Sequence, residues 1–182
     1  MAETTDGARA LAIRRATIRD VTQIQQLVNG LAETGALLPR ALSELYENLR
    51  DYYVVADEER VVACCALHIC WEDLAEVRSL AVDGAHQGQQ LGRGLVQRCL
   101  EEAELLGLAT VFTLTRKPEF FEHCGFWRVD VAELPRKIWG ECFRCPKFPN
   151  CDEVALIHKM GSEANAPQPE ESSIAPWATN GG

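Results

Sequence analysis

One segment constrains the chain more than any other. An apolar run at Val77, Leu80, Ala81 and Val82 leads through Asp83 to Gln87-Gly88-Gln89-Gln90-Leu91-Gly92. From Gly92 to Leu106 apolar residues then recur at helical spacing: Leu95, Val96, Cys99, Leu100, Ala103 and Leu106. The segment therefore predicts a buried strand that delivers an amide-rich turn to a helix start. Backbone N–H groups at a helix start carry partial positive charge and bind anions such as pyrophosphate. Two familiar phosphate loops do not fit. A dinucleotide loop needs G-x-G-x-x-G with an acidic residue about 20 positions on, and Gly88, Gly92 and Gly94 do not have that spacing. The Gly-Lys-Ser/Thr of a P-loop does not occur. From the glycines alone, a plain turn remains the alternative to an anion cradle.

The remaining periodicities set an element order. Ala12 to Ala16 reads as a strand, and Thr17-x-x-Asp20 as a capping box. It opens a helix with Val21, Ile24, Leu27, Val28 and Leu31 on one face, ending near Gly35. Leu42 to Leu49 reads as a short second helix. Tyr52–Ala56, Val61–Trp71 and Ala75–Val82 read as strands joined by tight turns at Asp57-Glu58-Glu59 and Glu72-Asp73, an antiparallel meander. After the helix from Gly92 come a strand (Thr110–Thr115), a short helix (Pro118–His123) and two strands (Trp127–Val131, Val154–Met160).

A chain of 182 residues, 47% hydrophobic, can bury one good core, so one domain is expected over residues 11–160. Residues 1–10 are expected to be a flexible N-terminus and 161–182 a disordered tail, rich in Ala, Pro, Glu, Ser, Asn and Gly. Such a composition cannot offset its ordering entropy by burial. The formal net charge of -9, without a Lys/Arg run, argues against nucleic acid or an anionic membrane as the main partner. A local arginine pocket can still oppose that global field. No apolar run has membrane-spanning length, and the start lacks a basic-then-apolar leader pattern, so a cytoplasmic location is expected.

Gln87 and Gly92, following Leu80-Ala81-Val82, resemble the acetyl-CoA loop of the GNAT N-acetyltransferases, whose pattern is Arg/Gln-x-x-Gly-x-Gly/Ala. Gln90 stands where that pattern has its first glycine. A register two residues later, Gln89, Gly92 and Gly94, also fits; the first register keeps Val82-Asp83 at the normal distance. Thr113-Leu114-Thr115, then Pro118-Glu119-Phe120-Phe121-Glu122-x-x-Gly125-Phe126, resembles the GNAT segment that closes the acetyl-CoA site. The resemblance covers roughly Leu11 to Lys159. It implies an α/β (α+β) GNAT acyl-CoA N-acyltransferase fold, with a mixed central sheet of about six to seven strands flanked by helices. It also implies acetyl-CoA as cosubstrate, held by Leu80, Ala81, Val82, Gln87, Gly88, Gln89, Gln90, Leu91, Gly92, Arg93 and Phe121. Many members carry a tyrosine where Phe121 stands, as the acid for the leaving thiolate. A thiol has a pKa of about 8.5, so the thiolate can instead take its proton from water or from the reaction's own ammonium.

Cys65-Ala66-Leu67-His68, the run Trp71 to Val82 and the Leu114 to Phe121 segment together are similar to the short, stand-alone N-acetylglutamate synthases. That likeness implies transfer of acetyl to the α-amine of an amino acid, glutamate above all, as the first step of arginine biosynthesis. Glu76 matches the strand position of the catalytic glutamate in GNAT histone acetyltransferases and is the leading base; His68 is the second candidate, with a structural role as its alternative. By strand alternation Glu76 and Arg78 share a face, so Arg78 either holds a substrate carboxylate or pairs with Glu76. Two substrate carboxylates call for guanidinium partners, for which Arg40 and Arg78 are chosen, with Lys137 a weaker third. A backbone N–H near Leu80 or Ala81 would polarise the thioester carbonyl. Ser79, on the opposite face by alternation, is expected to have no role.

Cys142-x-x-Cys145 with Cys151 is a compact trio that plain thiols explain better than zinc, because structural zinc needs four protein ligands. Cys64, Cys65, Cys70 and Cys99 sit in apolar patterns and read as small core residues. The expected partner is a small amino acid, with neither nucleic acid nor membrane, and a homodimer is compatible with the sequence. Three rivals remain: a GNAT enzyme of another specificity, a non-catalytic acetyl-CoA sensor, and a zinc-organised binding module.

Overall fold

The computed structural model describes residues 11–35, 37–135 and 151–161. Their elements in chain order are β1 (Ile13–Arg15), α1 (Val21–Glu33), α2 (Leu42–Glu47), β2 (Tyr52–Asp57), β3 (Arg60–Trp71), β4 (Leu74–Val82) and α3 (Leu91–Leu105). They continue with β5 (Thr110–Thr115), α4 (Pro118–Glu122), β6 (Trp127–Val129) and β7 (Val154–Lys159). The order is the one expected from the sequence. Seven strands form one mixed sheet in the order β1-β2-β3-β4-β5-β7-β6, and β4 with β5 is its parallel pair.

Alternation along the central strands sorts their side chains into two layers. Ala63, Cys65 and Leu67 of β3 and Ala75 and Val77 of β4 join Leu95, Val96, Cys99 and Ala103 of α3 in one cluster. Cys64 and Ala66 of β3 and Ala81 of β4 join Val21, Ile24 and Val28 of α1 in the other. Helices thus cover both faces, which is why the central strands read as nearly continuous apolar runs. Cys64, Cys65 and Cys99 are fully buried, as their patterns predict, and Cys70 is half-buried. The Cys65 and Cys99 sulfurs lie 3.8 Å apart between sheet and helix. Its hydrogen bond with Cys99, together with burial, pushes the Cys65 thiol well above its ordinary value.

The parity of β4 changes midway. Ala75 and Val77 face α3, but beyond Arg78 it is Leu80 and Val82 that pack against that cluster, while Ala81 faces α1. Arg78 pairs with Ala66 and Ala81 with Cys64, so three steps on β4 oppose two on β3. The extra residue is Ser79, whose φ of 53° is left-handed. This is a β-bulge, and it turns β4 where the functional residues begin.

The turn into α1 is set by one carboxylate. Asp20 Oδ2 accepts from the Thr17 backbone N–H at 2.7 Å and the Thr17 hydroxyl at 2.9 Å. Arg14 grips the same carboxylate with both Nη atoms at 2.7 and 2.9 Å. The Arg14 bonds foremost, with those from Thr17, outweigh burial and hold the Asp20 carboxyl at about 2, below its ordinary 3.8. No helix among the described residues is long and apolar enough to cross a membrane.

A carboxyl held below its unfolded value adds stability above that value and loses it as pH falls through the folded one. Asp20→Asn should therefore lower unfolding free energy by about 2 kcal/mol at pH 7, discounted for the half-exposed Arg14 partner. Urea titrations should find that gap complete above about pH 4 and closing as the pH falls through about 2.

Candidate active site

The site begins where β4 and β5 part. Their pairing runs from Leu74/Thr110 to Glu76/Phe112 and stops there. Beyond that point Val77 to Leu80 and Val82 on β4 and Thr113 to Thr115 on β5 line opposite sides of a cavity of about 1130 Å³. Because its walls include Glu76, Arg78 and Ser79 from one face and Leu80 and Val82 from the other, the cavity passes through the sheet.

On the α3 side it is a cradle. Gln87, Gly88, Gln90, Leu91, Gly92 and Arg93 line it, together with Phe120 and Phe121 of α4. Gly88 has φ 80°, and Gln90, at the N-cap of α3, has φ 60° and ψ 12°. A left-handed non-glycine residue costs about 1–2 kcal/mol, so the loop keeps its shape at the expected glycine position without the glycine. The Gln90 carbonyl still accepts from Gly94 N–H at 3.0 Å, closing the first turn of α3. Gly92 permits close contact: a Cβ there would stand 3.3 Å from Phe120 Cζ and 3.6 Å from Val82 Cγ2. Exposed N–H groups and a tight approach are what a pyrophosphate requires. Phe121 is 5% exposed and stands edge-on to Phe120 and Phe126, with ring centres 5.1 and 5.5 Å away. It is thus both a core aromatic and part of the cavity wall.

On the α1 side the cavity is a charged chamber. Arg40, Glu44, His68, Glu76, Arg78 and Ser79 line it. His68 sits directly across from Glu76 in the β3–β4 register, and its Nδ1 meets Asp51 Oδ2 at 2.7 Å. Glu76 Oε2 lies 3.9 Å from Arg78 Nη1, and both side chains are largely buried. Arg40 Nη1 donates to Glu44 Oε1 at 2.5 Å, and its Nε to Ser79 Oγ at 3.3 Å. Burial works against the Arg40 charge, but Glu44, Tyr52 and Glu76 outweigh it and hold the guanidinium above its ordinary value. The Tyr52 hydroxyl donates to Ser79 Oγ at 3.1 Å, and burial pushes that phenol up to about 12.

Glu76, His68, Arg40 and Arg78 therefore come together, although they arise from a loop and two strands. Ala81 and Gln89 do not line the cavity: Ala81 is buried in the α1-facing cluster and Gln89 is exposed. Lys137, Cys142 and Cys145 lie outside the described residues. Cys151 is exposed beside Glu153, and among the described residues no three His, Cys, Asp or Glu are grouped to hold a metal. Ser79 corrects the alternation argument. Its left-handed backbone adds a step to β4, so its hydroxyl joins Arg40 and Tyr52 instead of facing away. Asp51 and Tyr52 had no signal in the sequence, since their partners lie 17 and 27 residues away.

Comparison with known proteins agrees with this geometry. The GNAT acetyltransferase domain matches residues 26–128. An uncharacterized N-acetyltransferase of Chlorobaculum tepidum is 34% identical over 81% of this chain and 96% of its own length. The amino-acid acetyltransferase of Mycobacterium tuberculosis is 38% identical over 72% of this chain and 77% of its own. Among solved structures, a Mycobacterium tuberculosis protein in complex with CoA and NLQ superposes with TM-score 0.72 at 32% identity, covering 82% of this chain and 99% of that one. With strands that part beside the N-terminus of α3, a seven-stranded mixed sheet and these relatives, the chain belongs to the GNAT acetyltransferase family.

Proposed function

We propose that this protein transfers the acetyl group of acetyl-CoA to the α-amine of an amino acid, with L-glutamate the leading substrate and N-acetylglutamate the product. The observation that carries the reading is the chamber in which Arg40, Arg78, His68 and Glu76 line one cavity with the cradle of α3. The relative of M. tuberculosis named an amino-acid acetyltransferase supports the substrate class.

In this reading the cradle of Gln87 to Arg93 holds the pyrophosphate, and the pantetheine runs between β4 and β5 past Leu80, Val82 and Phe121 to the point where the strands part. Arg40 and Arg78 hold substrate carboxylates. Glu76, directly or through a water, takes a proton from the ammonium, because only the neutral amine attacks. The nitrogen lone pair forms the C–N bond, the C–S bond breaks, and a main-chain N–H of the bulged β4 near Leu80 stabilises the oxyanion. The thiolate is protonated by water or by the proton released from nitrogen, because Phe121 offers no hydroxyl. His68, held by Asp51, is the second candidate base. Arginine biosynthesis, a cytoplasmic location and a homodimeric state belong to the same reading. Glu47, which lines the chamber beside Glu44, favours a second reading in which the substrate carries an extra ammonium group, as a diamino acid or polyamine does.

The test is turnover with acetyl-CoA and a panel of amino acids, amino-acid amides and polyamines, read as acetylated product by mass because the chain's eight cysteines compete with a thiol reagent. Glutamate-dependent product is expected. A substrate of the polyamine class alone would favour the second reading, and no product despite acetyl-CoA binding would overturn both. Glu76→Gln should lower kcat at least about 100-fold, within the usual range for a positioned base. Arg40→Ala and Arg78→Ala should each raise the amino-acid KM at least about tenfold, the loss of one charge-assisted contact, while leaving the acetyl-CoA KM in place.

A further inference from the structure

Arg40 is held at more points than a substrate-binding arginine needs for its charge alone. Its backbone N–H donates to Asn29 Oδ1 at 2.9 Å, and its carbonyl accepts from Asn29 Nδ2 at 3.2 Å. Its side chain is gripped at Nη1 by Glu44 and at Nε by Ser79. Glu44 already balances the charge, so the Ser79 contact fixes direction. Among the described residues the Nη2 end of the guanidinium donates to no protein atom, and Arg40 lines the chamber.

Ser79 reaches Arg40 only because its backbone is left-handed and adds a step to β4. Tyr52, 2% exposed, supports Ser79 from the sheet below. A buried phenol needs a partner, and any main-chain carbonyl would serve. Here the partner is the hydroxyl that already accepts from the Arg40 Nε. Backbone outliers of this kind persist where surrounding structure overdetermines them and cluster at functional sites.

We propose that Tyr52 and Ser79 are positioning residues that aim the Arg40 guanidinium at a substrate carboxylate and so set the preference for amines that bear one. The inference rests on the amino-acid reading above and deepens it. Tyr52 holds Ser79, Ser79 holds the Nε–H, and Glu44 holds Nη1, so the planar fork is presented in one orientation before substrate arrives. Preorganisation of this kind appears in substrate binding, not in the chemical step.

Two variants test it. Glycine adopts positive φ without penalty, so Ser79→Gly removes the hydroxyl while keeping the bulge. Tyr52→Phe removes the support while keeping the ring. Each should raise the KM for L-glutamate fivefold or more, with kcat and the acetyl-CoA KM within twofold of wild type. Each should also shrink the preference for L-glutamate over an amine without carboxylates by a similar factor. A rise in the glutamate KM below fivefold in both variants overturns the inference while leaving the amino-acid reading intact. Parallel losses in kcat and both KM values, with a lowered melting point, also overturn it, because they mark a structural role. Wild-type protein that acetylates no amino acid overturns the parent reading, and this inference with it.

Discussion

Everything functional in this molecule depends on β4 and β5 pairing at Leu74 to Glu76 and then separating. Two adjacent parallel strands ordinarily continue their ladder, since an unpaired backbone group buried away from water is costly. That ladder ends at Glu76, the bulge at Ser79 follows on the β3 side, and the space between the parted strands connects the two faces of the sheet. A cofactor can then lie on the α3 side and present its reactive end to a chamber on the α1 side. The same bulge moves Leu80 and Val82 onto the α3 side and Ser79 onto the side of the charged chamber. One inserted residue thus divides the labour of the strand.

The chamber places two arginines inside a protein of net charge -9. Its two arginines are faced by Glu44 and Glu76, so each guanidinium has a carboxylate beside it. A largely buried guanidinium without a counter-charge would be expensive. A carboxylate entering the chamber would meet cations that are already desolvated and oriented.

Much of this was legible before any coordinates. Helical and strand periods gave the elements, because both central layers are sealed by helices and the apolar pattern is strong on β3, β4 and α3. Simple alternation puts Glu76 and Arg78 on one face, and it holds until residue 78. The bulge was not legible, because serine carries no mark of a left-handed backbone; glycine or asparagine at that position would have suggested one. The resemblance places Gln90 at the loop's first glycine position, but nothing in a glutamine marks the left-handed backbone it takes there. Asp51, Tyr52 and Asn29 act through partners distant in sequence, and no local pattern encodes such a meeting.

The paired thiols of Cys65 and Cys99 have a consequence for how this protein can be watched. Both lie at the seam between β3 and α3, beneath the helix whose first turn forms the cradle. Buried beneath the helix, such a thiol is inert to alkylating reagents while the seam is shut, since only an exposed thiolate reacts quickly. Its labelling rate then reports how often the helix lifts from the sheet, so the chain carries a native clock for its own breathing. A ligand that clamped the N-terminus of α3 would slow that clock, with no cysteine having to be introduced to time it.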